Sequence, residues 1–184
     1  MEWCAPQDWM CEPDMIQKTG LTVREHQVRS VRSFMHLRHD GLPVIPVLQG
    51  WTLGEYMDCV ELYDMMGVDL RREPLVGLGS VCRRQSNFRG PMLVDMISRM
   101  GIRLHGFGFK ATGLTAGMDL GEYAAEGEHT QLVSADSMAW STDARWVPPL
   151  PGHAKLHQHC NNCIDYAMEW RRKLLAKSSR GMIV

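Results

Sequence analysis

The sequence predicts an α/β fold built of alternating strands and helices, either a partial TIM-type (β/α) barrel or an open sheet. Three observations predict it. Five short apolar runs each end in a polar or glycine-bearing tip, and stretches with helical periodicity lie between them. In addition, the 184 residues can bury one sizeable core but fall short of the about 250 that a closed eight-stranded barrel typically needs. In parallel β/α folds the carboxyl ends of the strands carry the chemistry, so the tips are where function is sought.

Strands are expected at about residues 3–7, 43–48, 75–79, 102–107 and 131–135. Their tips are Asp8, Gln49-Gly50-Trp51, Gly77-Leu78-Gly79-Ser80, His105-Gly106-Phe107-Gly108-Phe109-Lys110, and Asp136 within Ser134-Ala135-Asp136-Ser137. Thr22-Val23-Arg24-Glu25 and Thr52-Leu53-Gly54-Glu55 have the capping-box form, in which the Thr oxygen and the Glu carboxylate satisfy orphan amides of a first helical turn. After Thr52, residues Leu53, Tyr56, Met57, Val60 and Tyr63 make one apolar face and Gly67 provides a stop. Pro91 suits a first helical position, with Leu93, Met96, Ile97 and Met100 as the next stripe and Gly101 as its end. The glycine-rich stretch from Ala111 to Glu128 reads as a surface connection with a short helix. Residues 1–184 are taken as a single domain.

Composition narrows the function classes. The formal net charge of −1 provides no global basic field, so contacts to a polyanion must be local. Arg71-Arg72, Arg83-Arg84 with Arg89, and Arg171-Arg172-Lys173 are such clusters, each equally at home on a solvated face. The six cysteines, of which only Cys160 and Cys163 are close in sequence, are not a disulfide framework. There is no basic leader before an apolar stretch and no long apolar run, so a soluble cytoplasmic location without membrane contact is expected.

The tips divide the work of binding a planar heterocycle. A carboxylate at Asp8 accepts from a ring N–H and an amino group, Gln49 and a backbone N–H donate to a carbonyl, and Gly77, Gly79 and Gly106 let backbone approach the ring edge. Asp136 is then free to attack an anomeric carbon through an oxocarbenium-like transition state. Each residue also has a plainer reading. Asp136 suits a helix cap, Asp8 a turn, and Gln49-Gly50 an ordinary loop, while Gly77-x-Gly79 is too short for a nucleotide fingerprint. Their joint position at strand ends favours the site.

At this point the chain resembles the tRNA-guanine transglycosylase superfamily, and most closely its DNA-acting deazapurine branch, DpdA. The resemblance is carried by residues 5–13 (Ala-Pro-Gln-Asp-Trp-Met-Cys-Glu-Pro), 46–51 (Pro-Val-Leu-Gln-Gly-Trp), 76–82 (Val-Gly-Leu-Gly-Ser-Val-Cys), 104–108 (Leu-His-Gly-Phe-Gly), 134–141 (Ser-Ala-Asp-Ser-Met-Ala-Trp-Ser) and 160–163 (Cys-Asn-Asn-Cys), in family order. It implies a pentosyltransferase that exchanges guanine in DNA for a free 7-deazaguanine such as preQ0, with tRNA as the alternative polymer. By similarity Asp8 reads the amidine edge of the base and Gln49 meets its carbonyl. Gly77, Gly79 and Gly106 offer backbone contacts, His105 lies against the ring face, and Asp136 is the nucleophile at C1′. Arg83, Arg84 and Lys110 follow two of the tips directly and are the expected nucleic-acid contacts.

Two departures from the family pattern qualify what the resemblance implies. The superfamily's Asp-Ser-Gly-Gly-Phe segment lies upstream of the segment aligned with Asp8, and here only seven residues precede Asp8. The expected barrel is therefore partial, about five C-terminal β/α units, completed by a homodimer partner or complementing chain, or the product of an incomplete gene model, or else a non-catalytic deazapurine- or nucleic-acid-binding protein. The superfamily's structural zinc is held by three cysteines and a histidine. In this chain Cys160-x-x-Cys163 with His153 and His157 is the best set within a segment 153–163, the alternative being packed thiols at the start of a helix.

Overall fold

The computed structural model describes residues 3–82, 89–109 and 132–177. They group into two compact units, Met1–Ala135 and Asp136–Val184. The expected nucleic-acid contacts Arg83, Arg84 and Lys110, and the connection expected over residues 111–128, lie outside the described residues.

The first unit contains helices α1 (Pro13–Thr19), α2 (Val23–His39), α3 (Leu53–Met65) and α4 (Arg89–Arg99), and strands β1 (Val47–Leu48), β2 (Val76–Leu78), β3 (Leu104–Gly106) and β4 (Leu132–Ala135). The strands form one sheet in the order β1-β2-β3-β4, parallel throughout. Val47 stands opposite Gly77, Gly77 opposite His105, and His105 opposite Ser134. Parallel neighbours in sequence order bring the carboxyl ends of successive strands to one edge of the sheet. The amide of Gly79 donates to the Leu48 carbonyl at 3.0 Å, and that of Phe107 to the Leu78 carbonyl at 3.1 Å, which ties successive tips together.

Local signals place the helices. Both capping boxes form: Thr22 accepts from the Glu25 amide and Thr52 from the Glu55 amide, and each glutamate bonds back to its threonine's amide. The Glu55 carboxylate also accepts from the Trp51 amide at 2.7 Å, which fixes the turn out of β1. Gly67 and Gly101, after the ends of α3 and α4, have φ of +78° and +80°, the left-handed region that glycine enters without a Cβ penalty. The buried stripe of α3 is Tyr56, Cys59, Leu62 and Tyr63, with Leu53, Met57 and Val60 only partly covered. In α4, which starts at Arg89 rather than Pro91, the buried residues include Leu93, Val94 and Ile97, while Met100 is exposed. In both helices the buried face is turned by about one residue from the expected stripe. Val47, Leu48, Val76, Leu78 and Leu104 are fully covered, as strands of a sheet packed on both faces must be.

The expected first strand is reduced to a single bridge, Cys4 to Val44. Cys4 accepts from Ile45 and donates to Pro43, but the next rung requires an N–H from residue 6, which is proline. The groups of Val47 that point to that side are met instead by the phenol of Tyr63, which accepts from the Val47 amide at 3.0 Å and donates to the Val47 carbonyl at 3.1 Å. Burial pushes this phenol's pKa upward, so it keeps the hydrogen the second bond needs.

The second unit contains α5 (Ala139–Asp143), a 3-10 turn His153–Lys155, and α6 (Ile164–Lys177). The indole of Trp170 on α6 donates to the Asp143 carboxylate at 2.9 Å, and Cys163 directly precedes α6 with its carbonyl taking the Ala167 amide at 3.0 Å. Among the described residues, no helix is long and apolar enough to cross a membrane.

Replacing Tyr63 by Phe strands a buried N–H and a buried C=O of β1, and is expected to cost about 2 kcal/mol of unfolding free energy in urea titration. A variant as stable as the parent contradicts this role.

Candidate functional site

Two segments converge on the tip of β1. The backbone from Trp9 to Glu12 is pinned by α2: the Trp9 amide donates to Ser30 Oγ at 2.7 Å, and His26 Nδ1 lies 2.7 Å from the Met10 carbonyl. A carbonyl only accepts, so Nδ1 carries the hydrogen, and Nε2 lies 2.7 Å from the Thr19 hydroxyl. Trp9 is held by the edge of His26 and by the Arg29 guanidinium, 4.5 Å over its ring. This anchoring delivers Asp8 to Gln49. The Gln49 amino group donates to the Asp8 carboxylate, and its carbonyl oxygen faces the Ser80 hydroxyl at 2.7 Å. Its backbone is fixed as well, by Gln27 at 2.9 Å and Cys59 at 3.5 Å.

The structure thus brings together Asp8, Gln49 and Gly79. Gln49 is fully buried and Asp8 half-buried, and Gly79 lies so close over the Gln49 carboxamide that a Cβ there would overlap it. The Gly79 carbonyl is held by the Tyr56 hydroxyl at 2.7 Å. Burial, chiefly, holds the Asp8 carboxyl above the usual carboxylate range; its own backbone and the Gln49 amide pull the other way, and Glu12 adds to the rise. Burial pushes the thiols of Cys11 and Cys59 up to about 12, so both behave as packed, neutral groups.

A second cluster surrounds His105. Its Nδ1 lies 2.8 Å from Ser134 Oγ on β4, and its ring meets Trp3 and Phe107 edge-on with centroids 4.9 and 4.8 Å away. Gly77 packs against the Phe107 ring, and a Cβ on Gly106 would stand 2.8 Å from that of Phe109. The absence of side chains at Gly77 and Gly106 therefore admits aromatic side chains of the unit itself. Asp136 follows β4 directly in the chain and is exposed, with an interaction of its own.

In the second unit His153, His157, Cys160 and Cys163 bring their ligand atoms within 4.8 Å of one another. His157 Nε2 lies 3.1 Å from Cys160 Sγ, and His153 Nδ1 lies 3.8 and 3.4 Å from the sulfurs of Cys160 and Cys163. Tetrahedral zinc with bonds of about 2.3 Å to sulfur and 2.0–2.1 Å to nitrogen sets sulfur–nitrogen edges of roughly 3.5 Å, so spacing and donor types fit.

Over residues 1–183 the chain matches the family DpdA, DeoxyPurine in DNA protein A. It belongs to the DpdA family. No curated protein and no solved structure matches this DpdA-family chain at a significant level.

Two sulfurs and two imidazoles with no open position are the donor set of a structural zinc, which would clamp the segment between the 3-10 turn and α6. Three features of the chain prepare that set. The His157 amide bonds to the His153 carbonyl at 3.1 Å, the Leu150 amide approaches Cys160 Sγ at 3.4 Å, and His153 Nε2 lies 3.6 Å from the Asp165 carboxylate, leaving Nδ1 for the metal. The Cys-x-x-Cys spacing with nearby histidines, read beside the superfamily's zinc site, picked out the four residues that the structure gathers. Spacing missed Glu12 and Ser80, both buried, of which Ser80 contacts both Glu12 and the Gln49 carboxamide. Glu12 reads locally as a residue ahead of Pro13, and nothing in the sequence pairs it with Ser80.

Metal analysis of the purified protein is expected to give about one zinc per chain, lost in Cys163→Ser; less than about half an equivalent overturns the assignment. A carboxyl whose folded pKa is raised favours folding at low pH and loses that contribution as pH rises through its folded value. Asp8→Asn should therefore unfold at higher urea than the parent at pH 8 and gain less at pH 4; equal gains at both contradict the burial argument.

Proposed function

We propose that this chain exchanges guanine in DNA for a 7-deazaguanine such as preQ0, by way of a covalent aspartyl-glycosyl intermediate. The observation that carries the reading is the DpdA match over residues 1–183, a family whose name describes a deoxypurine in DNA. The half-buried Asp8 carboxylate at a strand-end edge, backed by Gln49 and Gly79, supports it chemically.

In this reading Asp8 accepts from the ring N–H and amino group of the base. Both donors lie on one edge of a guanine or deazaguanine, and a desolvated carboxylate bonded internally to its own backbone and the Gln49 amide keeps further lone pairs for them. The buried Gln49 amide, bonded to Asp8 and Ser80, backs Asp8 rather than meeting the base, whose carbonyl takes its hydrogen bond from a backbone N–H at the strand tips, while His105 offers a ring face. An oxygen of the Asp136 carboxylate attacks C1′ of the target nucleotide. The C1′–N bond breaks with its electron pair going to the departing guanine, which takes up a proton. The deazaguanine nitrogen, losing its proton, then attacks C1′ and releases Asp136. Bonds in the sugar-phosphate strand are untouched. Because a stacked base hides its C1′, the target nucleotide must be flipped or already single-stranded. Arg83, Arg84 and Lys110 are the proposed phosphate contacts.

We read the sheet as part of a TIM-type barrel. Its four strands run parallel in sequential order with helices between them, which suits a singly wound barrel.

The test is incorporation of radiolabelled preQ0 into duplex DNA, single-stranded DNA and tRNA. Label is expected in DNA with the parent protein and none with Asp136→Asn, while Asp8→Asn loses base binding. Incorporation should decline as pH falls through the raised range of Asp8, because the protonated carboxyl presents one lone-pair site fewer to the amidine edge. Label in tRNA alone moves the substrate to that polymer, and base binding without label in any polymer makes the chain a binding protein.

A further inference from the structure

We propose that Glu12 and Ser80 are positioning residues that orient Gln49 and, through it, Asp8. The effect on base binding rests on the deazapurine reading above; the contacts themselves do not. Glu12 sits at the N-cap of α1, where a carboxylate ordinarily bonds the first-turn amides, yet its side chain makes no cap bond. It turns inward instead, is 4% exposed, and lies 3.0 Å from Ser80 Oγ. Ser80 is held in the left-handed region at φ 55°, uncommon for a residue with a Cβ, and in that conformation its hydroxyl reaches three groups at once.

The hydrogens around Ser80 can be counted. The Cys11 amide donates to Ser80 Oγ at 2.8 Å. The hydroxyl has one hydrogen of its own, and two acceptors face it, Gln49 Oε1 at 2.7 Å and Glu12 Oε2 at 3.0 Å. When the hydrogen goes to Gln49, the carboxamide is locked with its amino group toward Asp8. A carboxamide turned over would set its oxygen against the Asp8 carboxylate, and its amino group could donate to Ser80 Oγ only with the hydroxyl hydrogen turned to Glu12. Ser80 donating to Gln49 therefore favours the direction in which the amide meets Asp8, and Glu12, by drawing the same hydrogen away, favours the reverse. No other polar side chain reaches Gln49's carboxamide in the hydrogen bonds of the described residues.

Glu12→Gln removes the competition, because a carboxamide at position 12 can itself donate to Ser80 Oγ and leave the hydroxyl hydrogen to Gln49. Ser80→Ala removes the lock. The experiment measures the dissociation constant of free preQ0 by calorimetry, and the urea midpoint, for the parent, Glu12→Gln, Ser80→Ala and the double variant. Ser80→Ala is expected to weaken binding about tenfold, the worth of one buried hydrogen bond. Glu12→Gln should tighten binding about threefold in the parent and have no effect when Ser80 is absent. Binding unchanged by Ser80→Ala, or an equal effect of Glu12→Gln in both backgrounds, overturns the proposal. If the parent binds no preQ0 the deazapurine reading falls, and the urea midpoints decide this one: non-additive shifts sustain the Glu12–Ser80 coupling and additive shifts refute it. Should Ser80→Ala fail to fold, Ser80→Gly, which suits the backbone at φ 55°, removes the same hydroxyl.

Discussion

The buried carboxamide of Gln49 is the constraint around which the first unit is organised. It carries a donor and an acceptor where no water reaches, so each must find a partner inside the protein. Asp8 answers one end and Ser80 the other, and these partners come from the segment before α1 and from the tip of β2. Gly79 is required directly above, since any side chain there would displace the amide. Satisfying one amide thus fixes the relative placement of the tips of β1 and β2 and of the N-terminal segment. The anchors at Trp9 and Met10 transmit that placement to α2 through Ser30 and His26.

Such an arrangement has an energetic cost at Asp8. A carboxylate held among buried groups loses hydration, which is why its pKa rises, and its bonds to its own backbone and to the Gln49 amide offset only part of that loss. The site is destabilised where it is expected to bind, a common division between stability and recognition. The zinc-type cluster in the second unit is of the opposite kind. Its four ligands close on one another with no open position, which suits cross-linking a short, largely exposed segment rather than chemistry.

How much of this was legible in the sequence follows the range of the interactions. Thr22 and Thr52 announced their helices because a capping box is complete within four residues. His153, His157, Cys160 and Cys163 span eleven positions, and their spacing suggests a tetrahedral donor set. The strands after residue 43 were found, though shorter than their apolar runs, since hydrophobicity marks burial and not ladder bonds. The run at residues 3–7 is apolar enough for a strand but does not form one, because Pro6 lacks the N–H its next rung needs. Gln49 and Asp8 were singled out as base-reading groups, but that they bond each other depends on residues 41 apart. Ser80 and Glu12 were not singled out, because their partners lie 31 and 68 residues away and neither has a local pattern.

Tyr63 has a consequence for self-association. A strand at the margin of a sheet exposes unpaired amides and carbonyls, and these invite a strand from another molecule. At Val47 both groups on that side are already bonded to one phenol, delivered by a helix of the same unit. A foreign strand approaching there finds neither donor nor acceptor and would have to expel a buried ring to gain them. One aromatic hydroxyl thus acts as a stopper that keeps the sheet from growing by addition at β1.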